Sequence, residues 1–164
     1  MKELVIIAHN LRSAHNVGSL LRTAEGLGVK VILSGYTPYP QTQNDARLPH
    51  LALKTTRQIS KTALGAEKRP IWQRQSDIQE VIASLQGLGF VVTALEQNAS
   101  AVPLSDFVIP QKLAIILGRE TEGVEADVLA RCHAIIEIPM FGHKESFNVV
   151  QAAAMAMYRW RFDA

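Results

Sequence analysis

The sequence predicts an α/β fold in which a parallel sheet is covered by helices on both faces. Five segments are continuous runs rich in valine, isoleucine and leucine, as expected of strands that are buried on both faces. They read LVIIA, VKVILSG, FVVTALE, KLAIILG and AIIEIPM. Segments with helical periodicity lie between several of these runs, and strands that alternate with helices favour a parallel sheet. The 164 residues are 48% hydrophobic and 20% charged, which is enough for one domain with a substantial core.

Three segments have the pattern of helices. The first is VGSLLRTAEGLG, where apolar residues recur at the spacing of one helical face and Gly26 and Gly28 supply a stop. The second is SDIQEVIASLQGLG, which opens with a capping box formed by Ser76 and Gln79. The last is NVVQAAAMAMYRWRF, which is apolar on nearly all sides. Helices of these lengths are sufficient to cover a sheet of the predicted size.

The stretch from Tyr36 to Arg57 contains three prolines and is predicted to be a long loop, and loops of this length are often functional. A cluster of basic residues, here called the basic strip, overlaps its end. It contains Arg47, Lys54, Arg57, Lys61, Lys68, Arg69 and Arg74. Between Gln41 and Gln75 these seven basic residues stand against two acidic ones, a local charge of +5, whereas the whole chain has a net charge of +2. The basic strip is therefore either a phosphate-binding surface or an ordinary solvated surface.

Several classes of protein are excluded or disfavoured by composition. The sequence has no run of about 18 apolar residues, so no membrane span is expected. The N-terminus MKELVIIAHN is too short an apolar run to be a signal peptide. Cys132 is the single cysteine, which excludes an intramolecular disulfide, and the five histidines lack zinc-site spacing. A cytoplasmic protein without a metal is the expectation.

Three polar clusters follow predicted strands, where ligands bind in open parallel sheets. They read HNLRSAHNVGSLLRT, LGRETEGV and IPMFGHKESFNVV. Taken singly, each has a structural interpretation. Asn16 and Asn148 are candidate helix N-caps, Arg22 is a candidate solvated arginine, and Glu120 with Glu122 suits a turn that leads into a helix N-terminus. The second cluster lacks the lysine of a P-loop and the spacing of a dinucleotide fingerprint.

Taken together, the clusters resemble a known set of motifs. Motif 1 is Asn16-x-Gly18-x-x-x-Arg22, and motif 2 is Gly118-x-Glu120-x-x-Gly123. Motif 3 is Ile138-Pro139-Met140 followed by Ser146-Phe147-Asn148. Their order and spacing resemble the SpoU/TrmH family, S-adenosylmethionine-dependent RNA ribose 2′-O-methyltransferases of the SPOUT superfamily. The resemblance implies a C-terminal trefoil knot, a homodimer, and a single SPOUT methyltransferase domain over residues 1–164 without a separate RNA-binding domain.

The resemblance also implies roles for individual residues. Contacts to S-adenosyl-L-methionine are expected from Leu95, Gly118, Ile138, Met140, Ser146 and Phe147. Catalytic roles are expected for Asn16, Arg22, Glu120, Ser146 and Asn148. Contacts to tRNA or rRNA are expected from Arg12, Arg47, Lys54, Arg57 and Lys61. The family commonly has leucine at the position of Phe147, a change that affects the shape of the pocket and leaves it apolar.

Arg22 is the residue whose chemistry has two interpretations. A guanidinium keeps its proton up to a pKa above about 12, which disfavours a general base. We therefore expect Arg22 to bind the adjacent phosphate and to stabilise the developing alkoxide, with base catalysis as the second choice. Glu120 is expected to orient an arginine or a neighbouring loop, or to be purely structural. Two other functions remain open, namely an RNA-binding scaffold without catalysis and methylation of a base nitrogen.

Overall fold

The fold is an α/β layer structure, described here for residues 2–162 of a computed structural model. In chain order, the strands are β1 (Glu3–His9), β2 (Lys30–Ser34), β3 (Trp72–Arg74), β4 (Val91–Leu95), β5 (Val102–Pro103), β6 (Lys112–Leu117) and β7 (Ala134–Glu137). The helices are α1 (Ala14–Leu27), α2 (Pro49–Ala63), α3 (Ile78–Gly87), α4 (Ala126–Leu129) and α5 (Val149–Phe162), with a short 3₁₀ turn at Ala66–Lys68.

Within the described residues, the strands form one seven-stranded sheet in the order β3-β2-β1-β6-β4-β7-β5. Each neighbouring pair is parallel. β1 and β6 lie at the centre, and their residues are nearly all buried because both faces of the sheet are covered. The predicted parallel sheet with helices on both faces is confirmed.

Alternate residues of the central strands enter two separate cores. Ile6 of β1 belongs to a core that also contains residues of α1, α2 and α5. Its neighbour Ile7 belongs to the other core, which contains residues of α3 and α4. This alternation follows from the two-residue period of a strand. The five strands recognised from apolar runs are present, whereas β3 and β5 are too short to produce a pattern.

The predicted loop from Tyr36 to Arg57 is wrong in its second half, because α2 begins at Pro49. Proline suits the first turn of a helix, where its missing N–H would have had no partner. One face of α2 buries Ala52, Ile59 and Ala63 and packs on α1, so packing stabilises the helix. A Cβ on Gly18 of α1 would lie 2.2 Å from the Ile59 carbonyl oxygen, so glycine is what lets the two helices approach this closely.

Two predicted helix ends are corrected. Gly26 lies inside α1, and the stop is Gly28, which has a φ of 66° and caps the helix with its N–H. The N-cap of α3 is Asp77, not Ser76, since the Asp77 carboxylate accepts from the N–H groups of residues 79 and 80. A carboxylate one residue further on can reach both of these donors, so it displaces the serine from the cap.

Within the described residues no helix is both long and apolar enough to cross a membrane. The same residues contain no group of three or more histidine, cysteine, aspartate or glutamate side chains arranged to hold a metal ion.

Candidate active site

A cavity of about 280 Å³ lies beyond the carboxyl ends of β4, β6 and β7. Its walls come from four parts of the chain, namely residues 95–97, residues 117–121 with Gly123, residues 137–138, and residues 145–147 with Val149 and Ala152. Parallel strands end on the same edge of a sheet, which explains why segments so distant in sequence meet here. The cavity is therefore formed by motifs 2 and 3 together with the loop after β4.

Glu120 of motif 2 connects this cavity to motif 1. Its carboxylate accepts hydrogen bonds from the Arg12 N–H at 3.2 and 3.3 Å, from the Ser13 N–H at 3.2 Å, and from Asn16 Nδ2 at 3.1 Å. Asn148 Nδ2 of motif 3 in turn lies 3.5 Å from Asn16 Oδ1. The three motifs are thus joined by side-chain and backbone hydrogen bonds in the folded chain.

Burial of the Glu120 carboxylate opposes its ionisation, but hydrogen bonds outweigh this effect. Donors are its own backbone N–H, those of Arg12 and Ser13, and the Asn16 side chain, and together they hold the pKa of Glu120 below its usual value. The carboxylate is therefore ionised at neutral pH and acts as an acceptor. A carboxylate with these properties is suited to orienting its neighbours rather than to donating a proton.

Motif 2 is a closed turn rather than the start of a helix. Arg119 and Gly123 exchange two backbone hydrogen bonds of 3.0 Å. A Cβ on Gly118 would lie 2.4 Å from the Gly123 carbonyl carbon, so the backbone of the turn can close only over a glycine. The expected turn between a strand and a helix is present, since the segment leads from β6 into α4, which begins at Ala126.

Glu96 holds the end of this turn. Glu96 Oε2 accepts from the Val124 N–H at 2.9 Å, next to Gly123, whose φ is +72°. Glu96 follows β4 and also lines the cavity. The loop after β4 and the motif 2 turn are therefore fixed relative to each other, although the sequence analysis assigned no role to Glu96.

A second polar network beside the turn was also missed by the sequence analysis. Arg119 Nη2 donates to Glu125 Oε1 at 2.7 Å, and Asn10 Nδ2 donates to the same oxygen at 2.8 Å. His9 Nε2 lies 3.4 Å from Glu125 Oε2, and His9 Nδ1 lies 2.8 Å from Ser34 Oγ. Burial lowers the pKa of His9 despite the nearby Glu125 carboxylate, so its imidazole is neutral at neutral pH.

The structure brings five of the six residues expected at the cofactor to the cavity, namely Leu95, Gly118, Ile138, Ser146 and Phe147. Taken over residues 2–162, the cavity lining includes neither Met140 nor Arg22. Arg22 is exposed and lies in a separate groove between α1, α2 and α5, together with Lys61 and Tyr158. The roles of all these residues stay predictions.

The interpretations of Asn16 and Asn148 as helix caps have different outcomes. The N-cap of α1 is Ser13, whose side chain accepts from the Asn16 N–H at 3.2 Å, so the cap interpretation of Asn16 is wrong. Its side chain is instead bound to Glu120. Asn148 Oδ1 does accept from the Val150 N–H at 2.9 Å, in the manner of a cap at the start of α5.

The residues expected to contact RNA fall into three groups. Lys54, Arg57 and Lys61 are exposed along α2 at positions i, i+3 and i+7, so they share one face. Arg12 is 58% exposed and pairs with Glu122 at 2.6 Å. Arg47 differs, because its guanidinium donates to both Asp45 oxygens and to the carbonyl oxygens of residues 39 and 40.

The sequence profile of the SpoU rRNA methylase family matches residues 3–158. The chain belongs to this family. A relative from Staphylococcus epidermidis assigned to the TrmH family of tRNA/rRNA methyltransferases is 31% identical over 154 residues. The alignment covers 94% of this chain and 56% of that relative, so the chain spans little more than half the length of the curated relatives it matches. A Staphylococcus haemolyticus relative described in the same way is 30% identical with the same coverage.

Solved structures of SpoU methyltransferases have the same fold. An AdoMet-bound rRNA methyltransferase from Sinorhizobium meliloti superposes with a TM-score of 0.78 at 21% identity and covers 97% of this chain and 56% of that one. The A. aeolicus TrmH/SpoU tRNA modifying enzyme also gives 0.78, at 19% identity, and covers 98% of this chain and 75% of that one. Below 25% identity these similarities establish the fold, namely the parallel sheet with its flanking helices.

Proposed function

We propose that the protein is an S-adenosylmethionine-dependent RNA methyltransferase that methylates a ribose 2′-hydroxyl of tRNA or rRNA. The observation that carries this proposal is that motifs 2 and 3 form one cavity and that the Glu120 carboxylate in its wall binds Asn16 of motif 1. Membership of the SpoU rRNA methylase family supports the RNA methyltransferase activity. One structural neighbour, at 23% identity, is described as an RNA 2′-O ribose methyltransferase.

The residues around the cavity fit the proposed cofactor. Leu95, Ile138 and Phe147 offer apolar surface to the faces of an adenine ring, and the turn at Gly118 offers backbone polar groups to its edge. Besides Glu120, the lining contains three carboxylates that complement the positive charges of the sulfonium and the amino group, those of Glu96, Glu137 and Glu145. The volume of about 280 Å³ lies just below the usual range of small-molecule pockets, which begins at about 300 Å³.

The protein residues have separate tasks in this proposal. S-adenosylmethionine supplies an electrophilic methyl group when it is bound. Asn16, held by Glu120 and next to Asn148, orients the ribose. Arg22 binds the neighbouring phosphate and stabilises the negative charge that develops on the 2′-oxygen. Correct placement of the two reacting groups can supply about 7–11 kcal/mol of the barrier, so positioning is the main contribution of these side chains.

We also propose that the chain acts as a homodimer of single-domain subunits, each with a trefoil knot. The segment between β7 and α5 shares one cavity with the loops after β4 and β6, which is compatible with a knot there. Tyr158 and Phe162 of α5 are 61% and 64% exposed, and their rings contact each other with centroids 4.6 Å apart. An exposed aromatic pair beside the groove that contains Arg22 is suited to contact with a second copy.

The RNA contacts that we propose are Arg12 and the exposed face of α2 with Lys54, Arg57 and Lys61. Arg47 is omitted because its guanidinium is already paired with Asp45 and lies 3.6 Å from the centre of the Tyr39 ring. An arginine bound in this way stabilises the loop before α2. Each phosphate neutralised by the remaining cations should lower the slope of log affinity against log salt by about 0.7 for single-stranded RNA.

The test is incubation with bulk RNA and methyl-labelled S-adenosylmethionine, followed by digestion of the RNA to nucleosides. We expect label in a 2′-O-methylated ribose. Arg22→Ala should nearly abolish transfer while calorimetry shows cofactor affinity close to that of the wild type, since Arg22 lies outside the described cavity lining. Label in a base would identify a base methyltransferase, and RNA binding without transfer would identify a non-catalytic scaffold.

A further inference from the structure

Tyr36 is an exposed aromatic side chain on a rigidly fixed backbone. It follows β2 and Gly35, and it is 55% exposed, whereas Ser34 and His9 next to it are buried. The Tyr36 N–H donates to Asn10 Oδ1 at 3.0 Å. A Cβ on Gly35 would lie 1.8 Å from the same oxygen, so the Asn10 side chain packs against the backbone at Gly35, where only glycine fits.

Asn10 itself adopts a backbone conformation that is uncommon for a residue other than glycine, with a φ of 57°. It is held there because its side chain is bound on several sides, to the Tyr36 N–H, to Glu125 Oε1 and to His9 Nε2. Local strain of this kind persists where the surrounding structure over-determines it, and such positions cluster at functional sites. The polar network around Glu125 thus fixes the backbone from which an exposed ring projects.

The surroundings of the ring are cationic and adjoin the candidate active site. The Leu11 N–H donates to Thr37 Oγ1 at 3.1 Å, so the adjoining residues Arg12 and Tyr36 lie close together. Tyr36 and Glu122 both raise the pKa of Arg12. The Arg12 N–H donates to Glu120, which lines the cavity. Arg119, another residue of the lining, donates to Glu125 Oε1, and the same oxygen accepts from Asn10, whose Oδ1 binds the Tyr36 N–H. The ring therefore lies at the rim of the candidate active site, on the side of β2.

We propose that Tyr36 is a stacking platform for an unpaired base of the RNA substrate, next to the nucleotide that is methylated, and that Arg12 contacts the adjoining phosphate. The inference rests on the proposed function. Proteins recognise single-stranded RNA by stacking splayed bases on aromatic rings while cations bind the backbone. A ring on a hydrogen-bonded backbone loses little backbone freedom on binding, and the neighbouring guanidinium complements the charge of the RNA.

The experiment compares binding of bulk tRNA and rRNA by three variants of one residue, using filter binding at several salt concentrations. Stacking of one base contributes about 1–3 kcal/mol, so Tyr36→Ala and Tyr36→Leu should weaken affinity by a factor of about 5 to 150. Tyr36→Phe keeps the ring and should stay within about twofold of the wild type. The matched control is Leu88→Ala. Leu88 is exposed to a similar extent as Tyr36, and its carbonyl oxygen accepts from Lys112 at the first residue of β6, so it lies at the end of the sheet where the strands begin.

The salt dependence separates the two proposed contacts. Removing the ring should leave the slope of log affinity against log salt unchanged, whereas Arg12→Ala should reduce it by about 0.7. The proposed role of Tyr36 is refuted if Tyr36→Ala binds RNA as tightly as the wild type does, or if Tyr36→Phe loses as much affinity as Tyr36→Ala. It is also refuted if the wild type binds no RNA. Calorimetry with S-adenosylmethionine and the methyl-transfer assay report separately on the proposed function, which survives a failure confined to Tyr36.

Discussion

Replacement of Glu120 tests whether its carboxylate holds the three motifs together. Glu120→Ala removes the acceptor shared by the Arg12 N–H, the Ser13 N–H and Asn16 Nδ2. Glu120→Gln keeps one oxygen in nearly the same place. That oxygen can still accept from the three donors, because Oε1 of the native residue accepts from all of them. The two variants therefore differ mainly in the hydrogen bonds and less in the volume of the side chain.

The magnitude follows from the geometry. Three distinct donors are involved, at 3.1 to 3.3 Å, which is at the long end of hydrogen-bond distances. Each such bond contributes about 1 kcal/mol net, so Glu120→Ala should lower the free energy of unfolding by about 2–3 kcal/mol. Glu120→Gln loses the charge and one of the two oxygens that accept from the Arg12 N–H, so it should lower the free energy of unfolding by about 1 kcal/mol. For a chain of this size each kcal/mol corresponds to about 2–4 °C in Tm.

The assay is urea unfolding at one protein concentration, repeated at pH 7 and at about pH 4. The pKa of Glu120 is lower in the folded state than the unfolded value of about 4.3. Its contribution is therefore complete above the unfolded pKa and decreases as the pH falls through the folded pKa. The difference between wild type and Glu120→Gln should accordingly shrink at the lower pH.

Equal unfolding of the wild type and Glu120→Ala at pH 7 would refute this reasoning. It would mean that water replaces the carboxylate at all three donors without cost. A Glu120→Gln variant as unstable as Glu120→Ala would instead show that the negative charge, and not the hydrogen bonds, connects the motifs.

Three further predictions concern packing, the thiol and assembly. In urea unfolding, Gly18→Ala should destabilise the protein by about 1–3 kcal/mol although alanine favours helices, because its Cβ would lie 2.2 Å from the Ile59 carbonyl oxygen. The control is Gly26→Ala in the same helix. A Cβ there would meet no neighbouring atom within 4 Å, so this variant should be more stable than the wild type by up to about 1 kcal/mol. Burial raises the pKa of Cys132 to about 11, so alkylation at pH 8 should be about a hundredfold slower in the native protein than in urea, and it should accelerate as the pH rises. Light scattering at micromolar concentration should give the mass of a homodimer, and Tyr158→Glu should shift it toward one chain, whereas an unchanged mass would remove α5 from the proposed contact.

The sheet was predictable because its central strands are continuous apolar runs, a pattern that can be recognised without knowledge of the tertiary contacts. Runs such as LVIIA and KLAIILG are buried on both faces, and the parallel arrangement leaves few alternatives. The helix α2 was not predicted because its local sequence pattern is weak. Its three buried residues are widely spaced among polar ones, and its N-terminal proline has the same appearance as a loop proline. Packing on Gly18, which no local pattern reveals, stabilises this helix.

The candidate site was partly predictable from the spacing of its motifs, and the structure adds the contacts between them. The distance in sequence between Asn16 and Glu120 contains no information about their hydrogen bond of 3.1 Å. Glu96 and Glu125 were missed because an isolated glutamate after a strand or before a short helix has no pattern of its own. Their roles become visible only where each carboxylate contacts the motif 2 turn, through the Val124 N–H and through Arg119.

The position of Arg22 links the proposed chemistry to the proposed assembly. Asn16 and Arg22 are six residues apart on α1, so Arg22 lies about 9 Å further along the helix and about a third of a turn around it. Asn16 contacts Glu120 at the cavity, whereas Arg22 lies in the groove with Lys61 and Tyr158. Arg22 therefore lines a different cavity from the one at which Asn16 contacts Glu120. The exposed aromatic residues of α5 next to Arg22 favour an arrangement in which a second copy covers the groove and its cavity supplies the methyl group to a ribose whose phosphate Arg22 binds.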